Sequence, residues 1–492
     1  MTWKLRTGAL SAALLAGACT VGPNYRPPEM TVPPAFGEPQ AGVPGASVDP
    51  ARWWSAFGDP RLDGLVERAL KGNPDIAVAA SRVRQARLQE IAARANGKPT
   101  VDATADASHV EFSKNAGFSS LARLFSGDSG GSGAPGGIAL PGSGITTYAL
   151  GFDASWEIDL FGGDRRGVEA AVARTDAAVW TQRDAAVTLA AEVAQAYFAL
   201  RLDQDQIAIV EEELIRQHRA LEIAGNVAKV GLVPQVDVTR QRGSLTSLEA
   251  RLEPLRADAR VRIHAIGILV GEPPETLDAA LSAPGGPLAE IPAVPAGLPS
   301  DLLRRRPDVR AAERQLAAST ADIGVAVADL YPKFSLTGAA QLLSTALGNL
   351  FSGDSLQLTA SGAARFPLLD WGRRKATVKI RQEQREEAYA QYRATVLRAL
   401  RDVEDPLARL DAERRRNAAL RRAVADAEAT ARSVEAQYRT GFVAQDSLLN
   451  AETQVLSARE QVAGSDAQLR QDTAALFKAI GGGWSDADAT AG

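Results

Sequence analysis

The sequence predicts an α+β membrane protein in which one structural unit occurs twice. Three observations support this prediction: matching segments recur 210 to 233 residues apart, four segments alternate apolar and polar residues, and two segments of more than sixty residues are almost free of proline and glycine. Alternation is the period of a β-strand, and long alanine-rich runs with interspersed charges indicate helices. We therefore expect two copies of a strand pair followed by a long helical hairpin.

The internal repeat is visible in segments that follow one another in the same order. The first copies are residues 73–86, 156–162 and 230–238, and the second copies are residues 306–319, 366–372 and 440–448. The first pair is separated by 233 residues and the two later pairs by 210, which implies 23 additional residues in the first half. Residues 130–144 (GGSGAPGGIALPGSG) have the composition of an exposed loop and account for part of this difference. Ordered matches of this kind indicate a duplication.

The elements are expected in the same order in both halves. Residues 61–275 form the first repeat, with a helix at 61–95, strands at 99–112 and 145–160, and a long helical hairpin. Residues 300–482 form the second repeat, with a helix at 300–329, strands at 332–343 and 355–369, and another hairpin. Outside the repeats we expect a signal peptide at 1–18, an extended segment at 19–60, a linker at 276–299 and a tail at 483–492.

The four alternating segments have the length of membrane-spanning strands. Each has ten or more residues, and a tilted strand needs about 9–11 residues to cross a bilayer. On this interpretation Phe152, Trp156 and Phe366 face lipid or the membrane interface. Four strands cannot close a barrel, and unpaired strand edges are not tolerated in lipid, so several chains must share one barrel. Two chains would supply eight strands and three would supply twelve, and the spacing alone does not choose between them.

Two long helical segments begin near residues 164 and 373. From residue 164 to about 228 there is no proline, and a continuous helix of that length would measure roughly 100 Å. The second segment contains Pro406, where we expect a bend because proline removes a helical hydrogen bond. The glycine-containing turns KVGLVP and RTGFVAQ follow the two segments and predict antiparallel helical hairpins.

The N-terminus resembles a bacterial lipoprotein signal. Lys4 and Arg6 precede a short apolar stretch that ends at Cys19, the only cysteine of the chain. One cysteine cannot form a disulfide within the chain, and the segment LLAGACT is similar to a lipobox, so we expect Cys19 to be lipidated. The alternative is an ordinary cleaved signal with an incidental cysteine. No apolar run is expected to be long enough to span a bilayer as a helix.

Composition and the scarcity of histidine argue against nucleic-acid binding and against catalysis. The net charge of −4 is that of a mildly acidic chain, which is unsuited to nucleic acid. The hexapeptide LFSGDS starts at Leu124 and again at Leu350, and its continuations, GDSGG and GDSL, resemble serine-hydrolase motifs. A nucleophilic serine needs a histidine base, and His109, His218 and His264 lie outside any matching motif. We interpret both copies as loops between strands, and we expect no enzyme activity, no cofactor and no metal.

Several longer motifs together resemble a known family. They are VGPNYRPP after Cys19, WWSAFGDPRLDGLVERAL, NPDIAVAASRVRQA, WEIDLFGGDRR, DLLRRRPDVRAAERQL, VADLYPKFSLTG, YRTGFVAQDSLLNAETQ and LFKAIGGGW. The ordered set resembles the TolC-like outer-membrane efflux lipoproteins, close to their NodT-type branch, over essentially the full mature length. The resemblance implies a homotrimer with a shared 12-stranded β-barrel, four strands from each chain, and a long periplasmic α-helical barrel.

The resemblance also implies partners and a function. Members of the family are exit ducts of tripartite efflux pumps, in which a periplasmic adaptor (membrane fusion) protein joins the duct to an inner-membrane transporter of the RND type. We therefore expect a lipid-anchored protein of the bacterial outer membrane, with its helices in the periplasm, that conducts small molecules passively. Two alternatives remain: a duct for protein or polysaccharide secretion, and a non-conducting lipid-anchored periplasmic scaffold.

The family's closing region matches the second hairpin turn, which predicts a periplasmic gate there. Members usually carry LLDA, with an aspartate ring at the constriction, whereas this chain has LLNA and places Asn450 at that position. We expect Asp446, and Asp237 of the first repeat, to supply the negative charge, because carboxylate rings favour cations and repel one another. Tyr438 and Arg439 are expected to pair or hydrogen-bond across helices in the closed state. The alternative for both is a solvated residue at a helix end.

Overall fold

The computed structural model describes residues 20–39, 49–111, 145–231, 234–283, 285–286, 288–294, 297 and 299–484. The elements of the first half are α1 (Pro60–Gly72), α2 (Pro74–Asn96), β1 (Thr100–Val110), β2 (Ile145–Ile158), α3 (Gly163–Lys229) and α4 (Gln235–Val270). A one-turn helix, α5 (Asp278–Leu281), precedes the second half. The elements of that half are α6 (Pro299–Arg305), α7 (Pro307–Ala328), β3 (Lys333–Ser344), β4 (Leu356–Arg365), α8 (Arg373–Arg439) and α9 (Gln445–Ala479).

The two halves contain the same elements in the same order, as a duplicated sequence requires. Helices α3 and α8 have 67 residues each, and α4 and α9 have 36 and 35. Helix α8 continues through Pro406, where the sequence predicted a bend, and α4 continues through Pro254. Neither proline ends its helix.

The first helix predicted in each half is in fact two helices. Asn73 separates α1 from α2 and has extended backbone angles, with φ at −66° and ψ at 128°. Arg306 occupies the same place between α6 and α7. Both residues precede a proline, Pro74 or Pro307. The proline ring disfavours helical angles in the residue before it and suits the first position of a new helix, so the chain breaks at both sites.

The strands form one antiparallel sheet in the order β1-β2-β3-β4. Phe152 of β2 lies opposite Ala103 of β1 and Ala340 of β3. Phe152 and Trp156, which the alternation assigned to lipid, are exposed in the single chain, and so is Phe366, which follows β4. The outer strands β1 and β4 each pair with one neighbour, so each has one edge without a partner among the described residues.

One helix has a segment that is apolar enough to cross a membrane. This stretch of 18 residues lies in α3, and 56% of it is buried within the protein. The sequence was expected to contain no stretch of this kind. That expectation was wrong, because α3 has the required length and apolar composition. The burial is that of a helix in a protein core.

The chain forms two compact units that do not coincide with the two sequence halves. One unit takes its described residues from the ranges Met1–Tyr25, Leu88–Val172 and Ala318–Arg385 and contains the sheet. The other consists of Arg26–Arg87, Ala173–Ala317 and Glu386–Gly492 and contains most of the long hairpins. Each unit therefore draws on both copies of the repeat.

An aromatic cluster lies in the core of the second unit. Trp53 stacks on Phe477 of α9 with ring centroids 5.1 Å apart, and Phe57 packs on Phe198 of α3 at 4.8 Å. All four side chains are buried. Such aromatic pairs add about 0.5–1.5 kcal/mol each beyond the burial of their area. The WWSAF segment thereby joins the helices of the two repeats within this unit.

Candidate functional site at the hairpin turns

The turns that follow α3 and α8 are the part of the molecule in which the sequence predicted a gate. In the second turn, the N–H of Gly441 donates to the carbonyl oxygen of Tyr438 and the N–H of Phe442 donates to that of Gln437. In the first turn, Gly231 donates to Ala228. Helices α4 and α9 begin a few residues later and carry the predicted carboxylates in their first turns.

Arg240 connects the two predicted gate carboxylates. Its Nη1 lies 3.2 Å from Oδ1 of Asp237 in the same helix and 2.9 Å from Oδ1 of Asp446 in α9. All three side chains are partly or largely exposed. Within one chain, the two carboxylates of the two repeats therefore share one guanidinium group, and an ion pair joins the starts of α4 and α9.

The other predicted gate residues lie nearby but form no hydrogen bonds or ion pairs across helices within the described part of the chain. Arg439 pairs with Glu435 one turn earlier in α8, and its side chain is 75% exposed. Asn450 is exposed on α9. Tyr438 is half-buried, and burial together with the negative charge of Asp237 raises the pKa of its hydroxyl. The structure thus brings Asp237 and Asp446 together, with Tyr438 near the first of them.

A chain of three buried glutamines lies directly behind this ion pair. The Nε2 of Gln445 donates to Oε1 of Gln241 at 2.8 Å, and the Nε2 of Gln241 donates to Oε1 of Gln217. The three residues, here called the glutamine ladder, belong to α9, α4 and α3 and are no more than 6% exposed. Gln241 follows Arg240 in sequence, and Gln445 precedes Asp446. The ladder and the ion pair therefore join the same two helix starts, one inside and one at the surface.

The inner end of the ladder binds two carboxyl groups. The Nε2 of Gln217 donates to Oε1 of Glu213 and to Oε2 of Glu452, both at 2.9 Å. Arg216 pairs with the other oxygen of Glu213. Burial, and then the negative charge of Glu213, raise the pKa of Glu452 to about 7, against the opposing effects of Arg216 and Gln217. The partly exposed Glu452 thus lies close to the buried Glu213, and this proximity and burial disfavour the ionised form of Glu452.

Further ion pairs join the hairpins away from their turns. Arg459 of α9 contacts Glu428 of α8 at 2.6 Å and Glu212 of α3 at 3.3 Å. Arg251 of α4 contacts Glu460 of α9 at 2.7 Å. These side chains are partly exposed, so each pair contributes about 0–1 kcal/mol. The Arg251–Glu460 pair joins α4 and α9, the same two helices that the Arg240–Asp446 pair joins at the turns.

In the first unit, a buried arginine holds the segment that follows Cys19. Arg166, which is 4% exposed, donates to the carbonyl oxygen of Val21 at 3.2 Å and to Oδ1 of Asn24 at 2.7 Å. The N–H of Val21 donates to the carbonyl oxygen of Phe161, just after β2. This set of contacts is called the Arg166 clamp below. Cys19 itself lies outside the described residues.

The second LFSGDS copy is a structural loop between β3 and β4. Ser355 is buried, and its hydroxyl donates to the carbonyl oxygen of Asn349 at 2.7 Å and lies 3.2 Å from that of Ser352. A hydroxyl engaged in this way stabilises the turn. The first copy, with its GDSGG continuation, lies outside the described residues. Among the described residues, no group of three His, Cys, Asp or Glu side chains could hold a metal ion.

Sequence reasoning found the two carboxylates at the turns and missed Arg240 and the ladder. Arg240 lies three residues after Asp237, which is the ordinary spacing of a solvated ion pair on a helix surface. The ladder residues come from three distant segments, and a single glutamine in a helix has no distinguishing pattern. Of the two inner carboxylates, only Glu213 had a sequence signal, because it belongs to the acidic run Glu211, Glu212 and Glu213.

Comparisons with known proteins agree with this architecture. The family model described as outer membrane efflux protein matches residues 65–271 and 298–482. Nodulation protein T of Rhizobium leguminosarum bv. trifolii is 30% identical over 474 residues, 96% of each chain, and the probable efflux pump outer membrane protein TtgC of Pseudomonas putida is 30% identical over 493 residues, 98% of this chain and 96% of its own. The solved outer-membrane channel OprN superposes with a TM-score of 0.82 at 32% identity, covering 95% of this chain and all of its own. The predicted α+β fold of the TolC-like class is confirmed.

Proposed function

The chain belongs to the outer membrane efflux protein family, and we propose that it is the outer-membrane exit duct of a tripartite pump that exports small molecules. One observation carries the proposal: a four-stranded antiparallel sheet with two open edges occurs in a chain that otherwise consists largely of long helical hairpins. A duct needs both parts, one to cross the outer membrane and one to continue below it. Its work is passive conduction, without covalent chemistry.

The sheet edges support assembly into a homotrimer. In lipid, the edges of β1 and β4 need partners, because unpaired backbone groups cost several kcal/mol each, about the cost of losing a hydrogen bond in an apolar medium. In the proposed trimer, β4 of one chain pairs with β1 of the next, and three chains close a barrel of twelve strands. Exposed apolar side chains on the strands, such as Phe152 and Leu358, then face lipid.

The hairpin turns are the proposed contact with a periplasmic adaptor protein, which links the duct to an inner-membrane transporter of the RND type. Phe442 is 84% exposed and Val230 is 69% exposed, and they lie in the two equivalent turns. In this proposal the two side chains contribute apolar contacts to the adaptor. The proposed gate lies in the helical turns next to these hairpin turns.

We assign the gate to Asp237, Arg240 and Asp446, with Tyr438 beside them. The Arg240–Asp446 ion pair joins the two hairpins of one chain at their turns, so separating the turns requires breaking it. Arg439 and Asn450 are exposed and are available for contacts with a neighbouring subunit.

Cys19 is the proposed site of lipidation. The Arg166 clamp fixes the chain from Val21 to Asn24 just after β2, next to the end of a strand that spans the membrane in this proposal. A lipid on the cysteine two residues before Val21 would then enter the same membrane. Metabolic labelling with a palmitate analogue should mark the wild-type protein and leave Cys19→Ser unlabelled.

Single-channel recording of the purified mature protein in planar bilayers tests the duct and its gate. Wild type should give small, cation-selective currents, and Arg240→Ala and Asp446→Ala should each raise the conductance several-fold. Arg251→Ala is the matched control, because it removes an exposed ion pair between the same two helices away from the turns. Arg439→Ala tests whether a subunit contact adds to the gate.

The outcomes separate the parts of the proposal. If wild type conducts and Arg240→Ala behaves like Arg251→Ala, the duct stands and the gate assignment is wrong. If no variant conducts although the protein is folded and inserted in the bilayer, the duct proposal fails and a lipid-anchored scaffold replaces it.

A further inference from the structure

The glutamine ladder and its two carboxyl groups place a proton-binding group behind the proposed gate. Hydrogen bonds run without interruption from Glu452 and Glu213 through Gln217 and Gln241 to Gln445. They join α3, α4 and α9, and their outer end adjoins Asp446 of the surface ion pair. Any movement that separates α4 from α9 at the turns must break the ladder as well as the ion pair.

The inner end has more carboxylates than cations. Both carboxyl groups lie 2.9 Å from one nitrogen, so their bonded oxygens can be separated by no more than twice that distance. Arg216 forms ion pairs with Glu213 and with exposed Glu212. Within the described part of the chain, Glu452 has no cation at ion-pair distance. Its only polar contact there is the shared amide of Gln217.

We propose that Glu452 is a proton-controlled joint: when protonated it holds the hairpin ends together, and when ionised it loosens them and favours opening of the gate. This inference concerns regulation of the gate and therefore rests on the proposed function. Ionised Glu452, which is only partly exposed, repels the buried Glu213, and separating the helices relieves the repulsion by exposing the carboxylates fully to water. Protonated Glu452 has no such cost.

The groups facing Glu452 act in both directions, and burial with the two carboxylates outweighs the opposing Arg216 and Gln217. Helix α3 presents the carboxylate of Glu213, the guanidinium of Arg216 and the neutral amide of Gln217. Helix α8 presents a second carboxylate, Glu435. Helix α4 contributes the neutral Gln241, one step along the ladder, and the charge of its neighbour Arg240 is engaged by Asp237 and Asp446.

The pH range follows from the shift and its sign. Burial raises the pKa of Glu452 from 4.5 to about 7 in the packed state. A raised pKa means that the packed state is most stable below pH 4.5 and loses stability as pH rises through 7. Between pH 6 and pH 8, linkage predicts that the equilibrium between packed and separated hairpin ends shifts about tenfold toward separation.

Hydrogen exchange with mass-spectrometric detection, on the full-length protein in detergent, tests the joint without requiring conduction. Protection factors, which correct for the intrinsic pH dependence of exchange, should fall about tenfold from pH 6 to pH 8 for amides at the start of α9 in wild type. Glu452→Gln should keep high protection at both pH values. Glu460→Gln is the matched control: the same change in the same helix, affecting an exposed pair with Arg251 and leaving the ladder intact.

A second variant tests the ladder itself. Gln241→Met interrupts the hydrogen bonds between the carboxyl groups and Gln445, so protection at the start of α9 should become low and independent of pH. The proposal is overturned if Glu452→Gln follows the wild-type pH profile, or if Glu460→Gln abolishes that profile.

Conductance measured over the same pH range links the joint to the gate. Wild-type currents should rise between pH 6 and pH 8, and those of Glu452→Gln should stay small. A pH-dependent protection profile in a protein that never conducts would refute the duct and leave the joint intact. If the conductance of Glu452→Gln equals that of wild type at every pH, the proposed joint is refuted and the proposed duct stands.

Discussion

The two halves of the molecule make the same contact with different side chains at the break between their first two helices. In the first half, Nδ2 of Asn73 donates to the carbonyl oxygen of Leu269, near the end of α4, at 2.9 Å. In the second half, Nη1 of Arg306 donates to the carbonyl oxygen of Ala479, at the end of α9, at 3.0 Å. The donors are 233 residues apart and the acceptors 210, which are the offsets of the repeat. The contact is common to both copies, whereas the residue type is not.

The difference lies in what each donor requires around it. Asn73 is neutral, and its Oδ1 accepts the N–H of Asp75, so the amide is satisfied locally. Arg306 is a buried cation that also binds Asp308 at 2.7 Å and Asp402 at 3.2 Å. Burial alone would lower the pKa of Arg306, but these carboxylates raise it above its ordinary value. The second break therefore depends on a charged cluster that the first break does without.

Removing the arginine should have the largest effect. Arg306→Ala leaves Asp308 and Asp402 without their shared cation. Because both carboxylates are partly exposed and Asp402 keeps Arg401, we expect a loss near the lower end of the range of about 3–5 kcal/mol that breaking a fully buried pair costs. The midpoint of thermal unfolding in detergent should fall sharply, together with the yield of assembled protein. Arg304→Ala is the control, because Arg304 is 76% exposed and pairs weakly with Asp301. Equal losses in the two variants would show that burial and charge at Arg306 are unimportant.

The glycines that end α4 and α9 offer a second comparison. Gly271 and Gly481 have φ of 77° and 79°, and a Cβ added to them would lie 2.2 Å from the carbonyl oxygen of Gly72 and 3.0 Å from that of Arg305. Both alanine variants adopt a left-handed conformation at a cost of about 1–2 kcal/mol. Gly271→Ala also forces backbone apart, so its total cost should be about 3 kcal/mol.

Thermal unfolding of the two alanine variants checks this ranking. Gly271→Ala should unfold at a lower temperature than Gly481→Ala. Gly464→Ala, inside α9 where a Cβ meets nothing within 4 Å, should be neutral or stabilising. The reverse order of the first two would mean that the first break yields more easily than its geometry indicates.

The neutral contact should matter less than the charged one. Asn73→Ala removes the donor to Leu269 and leaves a carbonyl oxygen unsatisfied in a partly buried place, which should cost toward the lower end of about 1–3 kcal/mol. The same unfolding assay should place this variant between wild type and Arg306→Ala. A loss as large as that of Arg306→Ala would show that the backbone contact, and not the charge cluster, is the important feature of both breaks.

The sequence allowed prediction of the elements that depend on local pattern. The repeat offsets, the alternation around Phe152 and the absence of proline in α3 depend on neighbours in sequence, and each corresponds to an element of the structure. The breaks at Asn73 and Arg306 also had a sequence signal, since each residue precedes a proline. The helical spacing of apolar residues continues across both prolines, however, and therefore favoured one helix over two.

The chemistry at the hairpin turns depends on contacts between distant segments. Gln217 and Glu452 are 235 residues apart and Gln241 and Gln445 are 204 apart, so no window of sequence contains either pair. Their partners are set by how α3, α4 and α9 pack. The raised pKa of Glu452 likewise arises from burial, which polar residues in an amphipathic helix do not reveal.

The smallest expected effect concerns Asp184, a carboxylate of α3 near the charged break. Burial, and then the charge of Asp308, raise its pKa, while Arg306 and Lys478 oppose the rise. A raised pKa in an acid means that its contribution to stability is present below the ordinary value of 3.8 and is lost as pH rises through the raised value. Asp184→Asn replaces the carboxyl group with a neutral amide, so this loss of stability at higher pH no longer occurs. The unfolding midpoint should therefore increase slightly at pH 7 and hardly change near pH 4.

The position equivalent to Asp184 in the second repeat is Ala394, so the repeat does not duplicate this carboxylate. Asp411→Asn, which removes a carboxylate from an exposed pair with Arg415, is the control and should not raise the midpoint at either pH. If Asp184→Asn lowers the unfolding midpoint at pH 7, the ionised carboxylate of Asp184 helps to stabilise Arg306, which then has three stabilising carboxylates. If it raises the midpoint, Asp308 and Asp402 suffice, and the second break differs from the first by one cation and the two carboxylates that bind it.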